Sequence, residues 1–217
     1  MSAAREEILR RIRAALDDVP DREAAADVAV ARNYRHTDDR SHAELVELLC
    51  ERISEYQADA RRIGPAEVAG AVQSACAQWG LARVAVPPAL PADWRPDEVD
   101  VVEDHGLSAG ELDSLDGAIT GCAVAIAETG TLVLDGEALS GRRVLTLVPD
   151  HHICVVSAEQ VVGQVPEAIA ALAPMVSERG VPVTVVSGPS ASSDIELERV
   201  EGVHGPRHLL VLVVDDG

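Results

Sequence analysis

From residue 5 to residue 16 the apolar side chains Ile8, Leu9, Ile12 and Leu16 recur at helical spacing among charged neighbours, which predicts an amphipathic helix. Residues 17 to 40 lack any such period and are rich in Asp, Arg and Ala, so they read as a linker or a strap. The period returns at Ser41, where Ser41 and Glu44 have capping-box spacing and Leu45, Leu48, Leu49 and Ile53 form one apolar stripe. Gly64 and Pro65 mark a change of character. Pro65 suits a helix start, Val68, Val72, Cys76 and Trp79 share a face, and Gly80 ends the run.

Beyond this point short β-rich runs alternate with helical stretches. Strands are expected at 83–86, 99–102, 123–126, 132–134, 144–148, 153–156, 181–186 and 209–214, with helices starting at Ser108, capped with Glu111, and near Pro166. Several runs are almost wholly apolar, as strands covered on both faces are. The pattern therefore predicts an α/β fold, a three-layer αβα arrangement around a mostly parallel sheet. The expected division is a helical segment and linker over residues 1–64, followed by an α/β domain over 65–217.

Composition narrows the chemistry. The net charge of −19 repels nucleic-acid backbones and anionic membrane surfaces, so neither is an expected partner. Every basic residue is Arg, which excludes a Schiff-base lysine and a P-loop lysine. With Phe absent and aromatics at 2%, the core has to be built from Val, Leu, Ile and Ala. Acidic residues crowd between Asp93 and Asp116 without the spacing of a calcium loop, which indicates a solvated acidic face. Cys50, Cys76, Cys122 and Cys154 form no CxxC, and no GxGxxG, GxSxG or HExxH occurs, so no metal site, cluster or dinucleotide cofactor is expected in this chain. No apolar run is long enough for a membrane span, and a reducing cytoplasm is the expected address.

Ligands of open α/β sheets gather at the carboxyl ends of strands, which singles out three loops. In the first, Ala127-Glu128-Thr129-Gly130-Thr131, Glu128 is a candidate base or nucleophile. There Thr129 and Thr131 can bond anionic oxygens and Gly130 permits close backbone approach, although a tight turn explains the same residues. The second offers Ser187, Gly188, Pro189, Ser190, Asp194 and Glu196 after a strand, a setting that attracts anions, while Ser193 and Glu196 alone make an ordinary capping box. In the third, His204 stands between Gly202 and Gly205-Pro206 as a proton carrier or ligand contact, or as part of a plain turn. His151 and His152 are adjacent, so on a regular strand they point to opposite faces and only one can look into a site; a possible homo-oligomer is left open.

Taken in order, the block from Ala127 to Leu134, Arg143 to Pro149 with His152-Ile153, Ser187-Gly188-Pro189-Ser190 with Asp194-Ile195-Glu196, and Gly202 to Pro206 resemble the LUD-domain (LutC-like) family over about residues 65 to 217. The resemblance implies a fold like the NagB/RpiA/CoA-transferase group. It also implies a role in oxidising L-lactate to pyruvate beside iron–sulfur partner proteins of the LutA and LutB type. Removing two electrons requires a carrier that this chain has no visible means to hold, so the residues and the resemblance together lead to the expectation of a non-redox component that binds a small anionic ligand through the three loops. The fold relationship leaves a second expectation, a CoA-transferase-like or isomerase-like enzyme using Glu128 on a thioester or phosphorylated substrate.

Overall fold

The computed structural model describes residues 3–18, 30–192, 200–201 and 205–215. The chain divides into two units, residues 1–34 and 35–217. In the first, α1 (Ala3–Ala15) forms where the amphipathic period predicts it, with Glu7 pairing Arg10 and Arg11 one turn on. The second unit holds α2 (His42–Glu55), β1 (Asp59–Ile63), α3 (Val68–Trp79), β2 (Arg83–Val86), β3 (Asp100–Glu103) and α4 (Ala109–Asp113). After these come β4 (Gly117–Gly121), β5 (Val124–Ile126), β6 (Thr131–Leu134), β7 (His151–Ser157), β8 (Val161–Val162), α5 (Val165–Arg179), β9 (Thr184–Ser187), β10 (Ala191–Ser192), β11 (Val200–Glu201) and β12 (His208–Val214). Residues 35–63, expected ahead of the domain, thus lie within this unit: β1 extends the main sheet and α2 packs on it.

The main sheet runs β1-β12-β7-β4-β2-β3, and every neighbouring pair in it is parallel. Period-two alternation gives each central strand two working faces. Ile153, Val155, Leu210 and Leu212 face α3 through Val68, Val72 and Cys76. Cys154, Val156, Leu209, Val211 and Val213 face Leu45, Val46, Leu49 and Ile53 of α2. This two-sided cover explains why β7 and β12 read as unbroken apolar runs. The expected α/β class and mostly parallel sheet are observed, with a smaller sheet, β8-β5-β6-β9, as an addition. Its inner side joins the α2 cluster, and Val124, Ile126 and Val133 on its outer side meet Ala168 and Leu172 of α5.

Local signals locate the helix ends. Ser41 and Ser108 each accept from the backbone N–H of Glu44 or Glu111, and the glutamate side chains return to the cap N–H. Gly80 closes α3 in the left-handed conformation. One expected strand is corrected. Residues Arg143–Thr146 form a 3-10 turn, because Leu145 is drawn into a cluster with Ala85, Leu112, Leu115 and Ala118 while Val144 and Val148 pack beside it, a one-sided spacing that no strand provides. β1 and β4 were not anticipated by the hydrophobic pattern. All four cysteines are unpaired, and Cys76, Cys122 and Cys154 are buried, as small apolar residues would be.

Candidate functional site

His152 is the second residue of β7 and Leu209 the second of β12, and the sheet register sets them side by side. Both point to the face covered by α2 and the small sheet, whereas His151 points the other way. The His151 ring stacks on His208 at 4.6 Å between centroids and lies 5.1 Å from Trp79, with its Nδ1 3.0 Å from the Asp116 carbonyl. Strand alternation thus decides which of the paired histidines can serve a site on the α2 side.

Around His152 and Leu209 lies a cavity of about 220 Å³, whose wall takes Arg143 and Thr146 from the 3-10 turn, Val185 to Ser187 from β9, Gly188 to Ser190 after it, and Gly205 and Pro206 before β12. Two contacts tie these segments together. The Thr131 hydroxyl lies 2.8 Å from that of Ser187, across the β6–β9 ladder where the two residues are paired, and the Ser190 N–H donates to the Pro206 carbonyl at 2.8 Å. A second hydroxyl contact, 2.7 Å, links Thr131 to Thr129 behind the wall.

The cavity differs in position from the expected one. It opens at the amino ends of β7 and β12 and at the carboxyl end of β9, because β5, β6 and β9 belong to the small, largely antiparallel sheet rather than the parallel one. Of the residues singled out in the sequence, Ser187, Gly188, Pro189, Ser190, His152 and Gly205 line it. Thr129 and Thr131 support it from behind. Gly130 is not among the lining residues: its φ of 59° turns the chain, and a Cβ there would lie 2.8 Å from the Arg52 backbone of α2. Asp194, Glu196 and His204 lie outside the described residues.

Glu128 is absent from the described lining. Its carboxylate reaches Arg40 Nη1 at 3.3 Å, Arg35 Nη2 at 3.5 Å and Gln164 Nε2 at 3.4 Å. Asp38, whose side chain is 3% exposed, completes this cluster, accepting from Arg40 and from Gln164, so residues 35–40 are strapped across the β8–α5 junction. Glu128 stands at the turn between antiparallel β5 and β6, and the strap, distant in sequence, supplies its two arginine partners.

Two features beside the cavity escaped the sequence reading. Arg143 holds Thr146 through Nη1, with 3.3 Å to the carbonyl and 3.4 Å to the hydroxyl, and no carboxylate of the described residues pairs with it. Its signal was the Arg142-Arg143 pair before an apolar stretch. Thr120, fully buried on β4, places its hydroxyl 2.8 Å from His152 Nε2. Burial, and then the charge of Arg143, push the His152 imidazole down to about 4, so the ring is neutral near pH 7. Among the described residues no three His, Cys, Asp or Glu side chains converge as metal ligands, and no helix is long and apolar enough to cross a membrane. A cationic guanidinium, a neutral imidazole and serine hydroxyls around one small cavity can hold an anion; no group among the described lining residues is an anionic base.

The comparisons agree with this architecture. The LUD domain model matches residues 40–214. Lactate utilization protein C of Deinococcus radiodurans is 50% identical over 175 residues, covering 80% of this chain and 81% of that protein. Its namesake in Geobacillus kaustophilus is 29% identical over 194 residues, covering 81% and 80%. A crystal structure of a DUF162 family protein from Deinococcus radiodurans superposes with a TM-score of 0.70 at 42% identity, over 81% of this chain and 99% of that one. With the family model spanning most of the second unit and a relative identical at half its aligned positions, the chain belongs to the LUD domain family.

Proposed function

We propose that this chain takes part in lactate utilization, the role named for its relatives, as a non-redox component that binds a small anion in the cavity between β7, β9 and β12. The observation that carries the reading is Arg143, whose guanidinium meets the cavity with no described carboxylate to neutralise it, next to the neutral ring of His152. Charge-assisted bonds from a guanidinium are the strong ones, and a partly enclosed wall strengthens them further. Oxidation of L-lactate to pyruvate delivers two electrons, and the dispersed, mostly buried cysteines of this chain are unsuited to hold a cluster. The electrons are assigned to iron–sulfur partner proteins in the cytoplasm, where four unpaired thiols persist.

Calorimetric titration of the full chain with L-lactate and with pyruvate tests the reading. At least one should bind, and Arg143→Ala should weaken it by about tenfold or more, the worth of one charge-assisted contact. Heat changes indistinguishable from dilution for both acids, or unaltered affinity in the variant, would refute it. A strain lacking the gene should also grow poorly on L-lactate, and normal growth would count against the pathway assignment.

A further inference from the structure

The ring proton of His152 can be located from its surroundings. Nε2 lies 2.8 Å from the Thr120 hydroxyl, and that is the bond the described residues give to either group. A hydroxyl donates one proton, and Thr120 sits at 0% exposure in the middle of the main sheet. Were Nε2 the protonated nitrogen, the Thr120 proton would point into the core with no acceptor, which costs the desolvation of a buried donor. The lower-energy arrangement has Thr120 donating to a bare Nε2, leaving the single proton of the neutral ring on Nδ1. Nδ1 has no partner among the described residues, yet the buried unpartnered side-chain nitrogen recorded among them is Arg52 Nε, so Nδ1 meets open space, and the open space beside His152 is the cavity.

Arg143 arrives at the same wall with Nη1 committed to Thr146 and with Nε and Nη2 unengaged by the described residues. We infer that Thr120 is a positioning residue that holds His152 as the Nδ1–H tautomer, so that His152 and Arg143 together donate to the carboxylate of a small organic acid. The inference rests on the anion-binding reading above and adds the recognition chemistry. A flat carboxylate presents two acceptor oxygens to two donors. A cavity of about 220 Å³ suits an acid of a few carbon atoms.

The test uses the full chain labelled with 15N, reading the imidazole nitrogens of His152 by NMR, with pyruvate and inorganic phosphate as probes. In the wild type Nδ1 should carry the signature of a protonated nitrogen and Nε2 that of a bare one, and pyruvate should shift Nδ1. In Thr120→Val the two tautomers should mix and pyruvate affinity should fall by about tenfold, the usual weight of one misdirected polar contact, while Thr120→Ser restores both. A proton on Nε2 in the wild type overturns the inference, as does a Thr120→Val protein that keeps both tautomer and affinity. Phosphate binding more tightly than pyruvate overturns the carboxylate assignment. If Thr120→Val does not fold, the wild-type and Thr120→Ser spectra still decide the tautomer. A correct tautomer in a protein that binds neither probe overturns the anion-binding reading and leaves the role of Thr120 in orienting His152 standing.

Discussion

Replacing Gly130 by Ala separates two costs that glycine conceals. The first is conformational: at φ 59° an L side chain strains the backbone by about 1–2 kcal/mol. The second is steric. A Cβ at Gly130 would stand 2.8 Å from both the carbonyl carbon and Cβ of Arg52 and 2.9 Å from the Ile53 nitrogen, atoms of α2 that cannot rotate aside. Such overpacking costs a further ~1–3 kcal/mol. Gly180, which caps α5 at φ 61° with nothing within 4 Å of its would-be Cβ, isolates the first cost. Both changes also stiffen the unfolded chain, and that gain cancels in the difference. Gly130→Ala should therefore be less stable than Gly180→Ala by about 1–3 kcal/mol, which at this chain length is ~2–4 °C of melting temperature per kcal/mol. Urea unfolding followed by circular dichroism, checked by thermal scans, reads the difference. Equal losses in the two variants would refute the claim that this turn is glycine because it packs on a helix.

Other outcomes follow from single contacts. Ser41→Ala removes the cap of α2 and should cost about 1 kcal/mol in urea unfolding; no change would mean that the packing of α2 alone sets its start. Burial raises the Asp104 carboxyl, but the hydrogen bonds from Arg142 and from the N–H groups of Leu107 and Gly106 outweigh it and leave it below the usual carboxylate range. Its stabilisation is complete above the unfolded value of ~3.9 and is lost as pH falls through the lower folded one, so Asp104→Ala should cost about 3 kcal/mol at pH 7 and progressively less in acid. For His152 the depressed folded value of about 4 means that the unfolded chain takes up the proton first. Stability is then complete above the unfolded value of ~6.5 and drains as pH falls towards 4, by ~3 kcal/mol at most, a loss that His152→Gln should abolish relative to the wild type. Glu128→Gln loosens the exposed pairs to Arg35 and Arg40, so it should change stability by less than ~1 kcal/mol and leave pyruvate affinity intact; lost binding would return Glu128 to the site.

What could be read from the chain was what local chemistry decides. The capping boxes at Ser41 and Ser108, the glycine stop at Gly80 and the apolar runs of β7 and β12 each carry their instruction within a few residues. β1 does not: its sequence, Asp-Ala-Arg-Arg-Ile, is polar because it is an edge strand bonded to β12 on one side. β4 hides for the opposite reason. Gly117 is small because a Cβ would sit 3.1 Å from the His151 carbonyl oxygen, and small residues leave no hydrophobic period to detect. The serine loop and Gly205, which line the cavity, stood out in the sequence because glycine and hydroxyl residues between apolar runs advertise a turn near polar groups. Arg143 and Thr120 were not, because their significance lies in what stands opposite them across the fold.

The placement of the cavity at the amino ends of β7 and β12 has a cause in the small sheet. After β4 the chain leaves the parallel sheet to build β5 and β6, returns through the 3-10 turn bearing Arg143 to enter β7, leaves again for β8, α5 and β9, and returns to enter β12. Both returns reach the sheet where strands begin, so the wall of the cavity is made of entry segments, and β9, paired to β6, contributes its far end to the same place. The donors are thus held by ladder register: Ala118 beside His152 beside Leu209, and Thr131 beside Ser187. A slip of β7 by one residue would exchange His152 for His151 and remove Thr120 from its partner at the same stroke. The covered faces of β7 make such a slip costly, since Ile153 and Val155 would trade places with Cys154 and Val156 against α3 and α2. The geometry of the proposed anion site is therefore enforced by the hydrophobic core itself, and substitutions that loosen packing on either face of β7 should weaken pyruvate binding before they touch a residue of the cavity wall.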